Sequence, residues 1–262
     1  MTSWMKFASL LTLAGLTACS ASPTGRNQLL LFSDKDMSLL GAQSFEQMKK
    51  EQPISKDAKT NAYVQCVANS ITQHIPKQGF SEWEVVVFDS DQVNAFALPG
   101  GKIGVYTGLL NVAVNQDQLA TVIGHEVAHV LADHSNERLS QSQIANTGLS
   151  ITSVALGSSE YKQYQGVTMA ALGLGVQYGV ILPYGRTQES EADIVGLEYM
   201  AQAGFDPRQS VDLWQNMAKA SGGSQPPELL STHPSHSTRI EDLQTKITTL
   251  PKSNVARPNC KA

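Results

Sequence analysis

The motif His125-Glu126-Val127-Ala128-His129 constrains this chain more than any other feature of its sequence. In an α-helix each residue turns by about 100°, so His129 lies about 40° round from His125 and both imidazoles leave the same face. Two imidazole nitrogens placed one turn apart can bind one Zn²⁺. Glu126 lies too far round to share that face, but its carboxylate can accept a proton from a water on the ion. The motif therefore predicts a catalytic zinc site.

The residues around this motif indicate that its helix is buried. Val122, Ile123, Val130 and Leu131 flank it, so most of the helix is apolar. A buried group of two histidines and a glutamate needs partners or a metal ion. The alternative is a surface helix that carries the three residues by coincidence.

Composition and charge exclude several classes of protein. The chain has 262 residues, 41% of them hydrophobic and 16% charged, which is typical of a globular protein. Its formal net charge is −4 and it has no basic run, so a nucleic-acid-binding surface is not expected.

Residues 1–18 are typical of a targeting segment. Lys6 supplies a positive charge, and Phe7 to Leu16 form an apolar stretch that is short for a membrane span. The sequence Leu16-Thr17-Ala18-Cys19, at the end of this stretch, resembles a bacterial lipobox. This resemblance implies cleavage before Cys19 and acylation of that residue, whereas an ordinary secretory signal is the alternative.

The next part of the chain then divides into a tether and a domain. Ser20 follows the cysteine. An aspartate at that position would resemble an inner-membrane retention signal, so the serine favours the outer membrane. Residues 19–32 are polar and predict a lipid-anchored tether, and residues 33–262 predict one metallopeptidase domain. On this hypothesis the protein contacts the membrane through its lipid anchor.

Two further cysteines, Cys66 and Cys260, remain in the exported chain. An exported protein meets an oxidising compartment, and an even number of thiols favours one disulfide between them. Two separate free thiols are the alternative.

A small antiparallel sheet is predicted ahead of the zinc helix, in a mainly helical α+β fold. Trp83 to Phe88, Val93 to Leu98 and Lys102 to Thr107 have strand character, and a Pro-Gly-Gly turn separates the last two. The middle strand should border the cleft and bind an extended peptide through its main chain. The residues assigned to this substrate strand are Asn94, Ala95, Phe96 and Ala97.

The stretch from Gly166 to Leu182 contains no charged residue and raises the question of a membrane span. It is short and rich in glycine, and it carries Gln177 and Tyr178. Two helices packed in a domain core explain it better than a transmembrane helix.

A third zinc ligand must come from another part of the chain, because a catalytic zinc site has three protein ligands and one open position. On a helical wheel Asp193 lies about 40° from Glu189, among apolar residues, whereas Glu191 lies about 200° away on a polar face. This pattern predicts Glu189 as a ligand, Asp193 as a hydrogen-bond partner of a ligand imidazole, and Glu191 in water. The alternative is that Glu189 and Asp193 pair with Arg186 or Arg239.

Three motifs in order resemble the gluzincin metallopeptidase family that includes HtpX and the CAAX prenyl proteases. They are His125-Glu126-x-x-His129, Glu189-x-x-x-Asp193 and Thr232-His233-Pro234. The lipobox and the lack of convincing spans make the chain similar to the periplasmic lipoprotein branch, the BepA-like and LoiP-like proteins. The resemblance implies a zincin-like fold, one Zn²⁺ per chain and endopeptidase activity. It also implies that unfolded or misassembled outer-membrane proteins are the substrates, that the assembly machinery is a partner, and that the location is the periplasmic face of a Gram-negative outer membrane.

His233 is the predicted donor to the oxygen that becomes negative during peptide hydrolysis. Such a donor typically contributes about 10²–10³ to kcat. His134 should lie off the ligand face in solvent, His74 lies in a polar turn, and His236 lies inside the last helix. The family's His-Pro element agrees with His233. Two alternatives remain for His233: it could cap the last helix, or it could be a fourth zinc ligand in a closed, resting enzyme.

Two other functions compete with the endopeptidase hypothesis. One is a chaperone or assembly factor whose zinc site is structural or latent, and the other is a zinc hydrolase that acts on cell-wall peptides or small amides. A purely structural site has no need of Glu126 beside an open ligand position, and this residue favours an enzyme.

Overall fold

The computed structural model of the protein describes residues 19–76, 78–80, 82–157, 182–220, 233, 238–251 and 253–261. The chain forms two compact units. The first contains Met1–Ser33 and Asp133–Gln188, and the second contains Asp34–Ala132 and Glu189–Ala262. The predicted division into signal peptide, tether and one domain stays a prediction, because residues 1–18 lie outside the described part.

The described elements are mainly helical, as the sequence predicts. The helices are α1 (Asp34–Glu51), α2 (Ala58–Thr72), α3 (Gln116–Leu131), α4 (His134–Gly157), α5 (Leu182–Gln202), α6 (Gln209–Ala220) and α7 (Arg239–Thr249). The strands are β1 (Cys19–Ala21), β2 (Asn27–Leu29), β3 (Glu84–Phe88), β4 (Ala95–Leu98) and β5 (Lys102–Tyr106).

The first unit contains an antiparallel hairpin of β1 and β2 where a polar tether was expected. Cys19 pairs with Leu29 across this hairpin. Past the hairpin, the side chain of Asn136 in α4 accepts a hydrogen bond from Phe32 N at 3.3 Å and donates one to Phe32 O at 2.7 Å. The segment therefore has its own secondary structure and its own contacts with α4.

A buried ion pair joins the same hairpin to α4. Arg26 donates to both carboxylate oxygens of Glu137, at 2.6 and 2.8 Å. Gln188 donates to Glu137 at 2.7 Å and accepts from Arg138 at 2.7 Å. A charged side chain as deeply buried as Glu137 is stable only with such partners.

The main sheet lies in the second unit, and its strand order is β3-β5-β4. β4 and β5 are antiparallel, as predicted, but β3 runs parallel to β5. The prediction of an all-antiparallel sheet was therefore wrong for β3. The turn at Gly100 and Gly101, both with positive φ, reverses the chain into β5, and β3 then pairs with the other edge of β5.

Helix α3 is buried along almost its whole length, because it packs against α2, α6 and the sheet. Asn115 caps its first turn, accepting from the backbone N–H groups of Asp117 and Gln118 at 3.0 Å. Asp133, with φ of 52°, ends the helical run before α4 begins.

The core of the second unit is made of aliphatic side chains from the helices and the sheet. Its fully buried members include Val64, Val67, Ile103, Val105, Leu119, Ile123, Leu213 and Met217.

Two glycines let α3 and α5 approach closely. A Cβ atom on Gly124 would lie 2.8 Å from the carbonyl oxygen of Gly196, and one on Gly196 would lie 2.7 Å from the carbonyl carbon of Gly124. A side chain at either position would push the backbones apart. Since Gly124 precedes His125 and Gly196 follows Asp193 by less than one turn, this contact sets the spacing between the two helices that carry the predicted site.

The apolar stretch from Gly166 to Leu182 lies almost entirely outside the described residues. Among the helices that the structure describes, none is long and apolar enough to cross a membrane.

Candidate metal centre

Helix α3 places the two histidines of the motif side by side. Their Nε2 atoms are 3.1 Å apart, and both rings are buried. The helical periodicity that predicted one common face therefore corresponds to the observed geometry.

Glu189 reaches the same point from α5. Its Oε2 lies 3.3 Å from His125 Nε2, and its Oε1 lies 3.4 Å from His129 Nε2. Its side chain is fully buried. The structure thus brings together the three residues predicted as zinc ligands.

His233 belongs to the same group of ligand atoms. Its Nδ1 lies 3.3 Å from His125 Nε2 and 3.1 Å from Glu189 Oε1. Ligand atoms of all four residues lie within 4.8 Å of one another. This position corresponds to the fourth-ligand alternative, whereas the predicted donor would stand apart from the ligands.

The donor set fits a zinc ion. Ligand atoms held at about 2.0–2.1 Å in a tetrahedral zinc site lie about 3.3–3.4 Å from one another. The separations among the four residues are 3.1 to 3.4 Å wherever two such atoms face each other. Three imidazoles and one carboxylate are also a ligand chemistry that zinc prefers.

The charges at the centre call for a cation. Burial alone lowers the pKa of His125, but the carboxylates of Asp193 and Glu189 outweigh it and raise that pKa to about 9. Burial likewise raises the pKa of Glu189, but hydrogen bonds from His125 and His233 hold it far below its usual range. Two buried carboxylates therefore require positive charge between them, which either protons or a divalent metal ion supplies.

Asp193 lies behind the ligand face. Its Oδ1 is 2.9 Å from His125 Nδ1, so the ring donates from Nδ1 and leaves Nε2 for a metal. Arg239 donates to the same oxygen at 2.6 Å. Burial raises the pKa of Asp193, and the positive charge of Arg239 with the bond from His125 brings it below its usual range. Asp193 therefore makes both contacts that the sequence offered as alternatives, one with the ring of His125 and one with Arg239.

Glu126 stands beside the ligand atoms and not among them. It is buried, and its Oε1 has no hydrogen-bond partner among the described residues, although His233 Nε2 lies 3.4 Å away. A buried carboxylate oxygen in this condition is available to a substrate or a water.

Two predictions about neighbouring residues were wrong. Glu191 is buried, with 4% of its surface exposed, and His134 is buried, with 2% exposed. The first turns of α5 after Gln188 are buried on nearly every side, so the division into an apolar and a polar face does not hold there. His134 opens α4 and belongs to the first unit, where it is not solvated.

The predicted substrate strand forms most of β4, with Asn94 just before it. Within the described residues β4 pairs only with β5, so it is an edge strand, and it lies next to α3. Tyr106 donates to Asn94 O, which places the backbone groups of Phe96 on the β5 side and those of Ala95 and Ala97 on the open edge. The side chain of Asn94 accepts from Ala95 N at 2.9 Å.

Cys66 and Cys260 are joined by a disulfide in the second unit. Cys19 starts the first hairpin strand. The sequence arguments did not identify Trp214, whose ring lies against Arg239, or the glycine contact between α3 and α5. Neither has a local signal, because both depend on which helices meet in the fold.

Comparison with known proteins places this geometry in a family. The family model described as Peptidase family M48 matches residues 56–247. The mitochondrial metalloendopeptidase OMA1 of Bos taurus is 34% identical over 269 aligned positions, covering 97% of this chain and 50% of the relative. The mitochondrial metalloendopeptidase OMA1 of Arabidopsis thaliana is 39% identical over 196 positions, covering 72% of this chain and 35% of the relative.

A bacterial relative is more distant. The beta-barrel assembly-enhancing protease of Escherichia coli O157:H7 is 26% identical over 212 positions, covering 79% of this chain and 43% of that protein. The chain spans about half the length, or less, of these relatives.

Proposed function

This chain belongs to peptidase family M48, and from that premise we propose that it is a zinc-dependent endopeptidase. The observation that carries the proposal is the group of His125, His129 and Glu189 with the carboxylate of Glu126 beside it, whose Oε1 accepts no hydrogen bond from any described residue. A purely structural zinc site would not need a further buried carboxylate beside its ligands. The names of the relatives, metalloendopeptidase and protease, support the same activity.

The residues at the metal centre divide between metal binding, orientation of a ligand and proton transfer. His125, His129 and Glu189 would hold the ion, and Asp193 fixes the ring of His125. When bound, zinc supplies Lewis-acid polarisation of a carbonyl group and of water. Glu126 takes up the proton that the attacking water loses and delivers it to the amine that leaves.

His233 has one of two roles in this proposal, and its position favours one of them. Nδ1 lies among the ligand atoms, which supports a fourth ligand in the substrate-free enzyme over a separate oxyanion donor. Metal content of His233→Ala tests this assignment. Loss of zinc supports the fourth ligand, whereas full zinc with reduced kcat supports the donor.

The open edge of β4 is the proposed peptide-binding strand. Ala97 presents its N–H and C=O outward, and an extended peptide could add to the sheet through them. Such binding reads main-chain groups more than side chains, which suits unfolded protein substrates of varied sequence.

We further propose that the mature protein is lipid-anchored at Cys19 and acts at the periplasmic face of the outer membrane. The lipobox supports this, and so does the disulfide, since disulfides persist in oxidising compartments. The bacterial relative named as a beta-barrel assembly-enhancing protease supports outer-membrane proteins as substrates and their assembly machinery as a partner. The Cys19→Ser variant should be found in the soluble fraction and not in the membrane fraction. A variant that remains in the membrane fraction contradicts the proposed lipid anchor.

The test of the endopeptidase proposal is Glu126→Gln. The amide retains the shape of the residue but cannot accept the proton, so cleavage of an unfolded protein should fall about 10²–10⁴-fold. Zinc content, measured on the same sample, should remain one ion per chain. Wild-type cleavage by the variant refutes the proposal. No cleavage by a zinc-loaded wild-type protein would instead favour the alternative function, a chaperone or assembly factor with a latent or structural zinc site.

A further inference from the structure

Among the described lysines and arginines of the second unit, Arg239 is the most deeply buried, and none of the proposed steps requires it. Only 2% of its surface is exposed. Its Nε and Nη1 have no hydrogen-bond partner within the described part of the chain. An arginine buried with unpaired donors is costly, and apolar residues of the same volume are often at least as stable. Stability alone therefore does not explain this residue.

Its place in the helix is also unfavourable. Arg239 is the first residue of α7, and the N-cap, Thr238, makes no capping hydrogen bond with its side chain. A helix N-terminus carries partial positive charge and favours acidic residues. The arginine is thus held there against the local electrostatic preference.

The contacts of the guanidinium group explain what holds it. Its Cζ lies 3.5 Å from the centre of the Trp214 ring in α6, an arrangement that favours a cation over the aromatic face. The stacked ring restricts the plane of the group and leaves Nη2 as the nitrogen that reaches the metal centre.

That nitrogen ends at the carboxylate behind the ligands. Nη2 donates to Asp193 Oδ1 at 2.6 Å, and it lies 3.5 Å from His125 Nδ1 and 3.7 Å from Glu189 Oε2. Asp193 Oδ1 is therefore fixed from two sides, by Arg239 and by His125. Without the arginine, this carboxylate could rotate, and the ring of His125 would lose its orientation.

We infer that Arg239, stacked on Trp214, is a positioning residue that acts through Asp193 to hold His125 in its metal-binding orientation. The inference rests on the proposed metal centre and adds to it a requirement from α6 and α7. It assigns no contact with the substrate to Arg239. Because residues that orient metal ligands typically change metal affinity about 10–100-fold when replaced, the effect should appear in zinc binding itself.

The experiment measures the zinc Kd of the full mature chain by competition with a chelating dye, apart from any peptide cleavage. Arg239→Met removes the charge and keeps much of the volume, and it should weaken zinc binding about 10-fold or more. The visible absorption of the Co²⁺-loaded protein should change as well, since it reports the ligand geometry.

Arg257 provides a matched control. It also pairs with a buried aspartate of the second unit, Asp117, at the first turn of the zinc helix. Arg257→Met should lose stability with little change in zinc Kd or in the Co²⁺ spectrum. Equal zinc Kd values for Arg239→Met and Arg257→Met would overturn the inference.

A double-variant cycle tests the route through Asp193. If the arginine acts through the carboxylate, Arg239→Met should add little to the loss of affinity caused by Asp193→Asn. Losses that multiply would show that Arg239 acts independently of Asp193 and would also overturn the inference.

Arg239→Lys covers the case in which the methionine variant does not fold. Lysine keeps the charge but cannot stack as a planar group, so zinc Kd should still rise above that of Arg257→Met. A folded lysine variant with wild-type affinity contradicts the inference. A wild-type chain that binds zinc but cleaves no protein would refute the endopeptidase proposal and leave this result intact.

Discussion

Glu189 and Glu191 lie two residues apart and are both buried, so they provide a direct test of how the metal is held. Glu189 belongs to the group of facing ligand atoms, and Glu191 does not. We expect Glu189→Ala to lose zinc and Glu191→Ala to retain about one ion per chain. Metal analysis of desalted protein, with circular dichroism to verify folding, gives the answer. Equal zinc in both variants, or the reverse order, contradicts the assignment.

The predictability of these residues depended on how far apart they lie in the sequence. His125 and His129 could be placed on one face because a single helix fixes their relation. Glu189 was selected from a helical wheel that placed Glu191 on a polar face. Glu191 is in fact buried, so this part of the prediction was wrong. The side chain of Glu189 nevertheless points toward the histidines. Arg239 could be named only as an alternative partner, because its contact with Asp193 requires α5 and α7 to meet in the fold.

At the scale of elements, β4 is the edge strand to which we propose that a substrate peptide adds. The backbone N–H of Ala97 points to the open edge and takes no part in the pairing with β5. Proline at an edge position with an outward N–H is tolerated by a sheet, so Ala97→Pro should fold. It should raise KM for an unfolded protein several-fold, since a main-chain donor to the peptide is lost.

Ala97→Ser is the control for this change. It alters the side chain at the same site but keeps the N–H, so KM should stay near the wild-type value. If the Ala97→Pro variant folds and has the wild-type KM, the hypothesis that a substrate peptide pairs with β4 is wrong.

The Arg26–Glu137 pair should make the first unit sensitive to acid. Burial raises the pKa of Glu137, but hydrogen bonds from Arg26 and Gln188 outweigh this and lower it below its usual value. A group whose folded pKa is lowered stabilises the protein above its unfolded pKa, about 4.5, and loses that contribution as pH falls through the folded value. Arg26→Ala should therefore cost about 3 kcal/mol at pH 7 and less below pH about 4.5.

Urea unfolding at neutral and acid pH measures this difference. Arg208→Ala is the matched control, because it removes the exposed partner of Asp206 and should change little at either pH. An equal loss for Arg26→Ala at both pH values would show that packing, and not the charge of Glu137, accounts for the effect.

The sequence could indicate most elements but not all of their partners. Alternation and the Pro-Gly-Gly turn predicted the β4–β5 hairpin, since both signals are local. The parallel pairing of β3 and the hairpin of residues 19–29 were not expected. Strand direction in the first case depends on a non-adjacent partner, and the polar residues of the second resemble a linker until Arg26 meets Glu137.

At the scale of the whole molecule, the C-terminal tail is tied to the start of the zinc helix. Gln116 Oε1 accepts from Cys260 N, and its Nε2 donates to Pro258 O, both at 2.8 Å. Arg257 pairs with Asp117 in the same turn. The disulfide adds a covalent bond to this arrangement by joining Cys260 to Cys66 in α2.

The disulfide closes a loop of 194 residues in sequence, which includes α3 and all the residues of the metal centre. In a chain-entropy estimate a loop of this length stabilises the folded state by about 5 kcal/mol, because it restricts the unfolded chain. For a chain of this size that corresponds to a fall of about 10 °C in Tm when the bond is removed.

We expect this fall in zinc-loaded protein treated with a reductant, measured by scanning calorimetry. The variant with both Cys66→Ala and Cys260→Ala should show the lower Tm without reductant and no further response to it. The same Tm for oxidised, reduced and doubly substituted protein would mean that the hydrogen bonds of Gln116 hold the tail and that the disulfide contributes no stability.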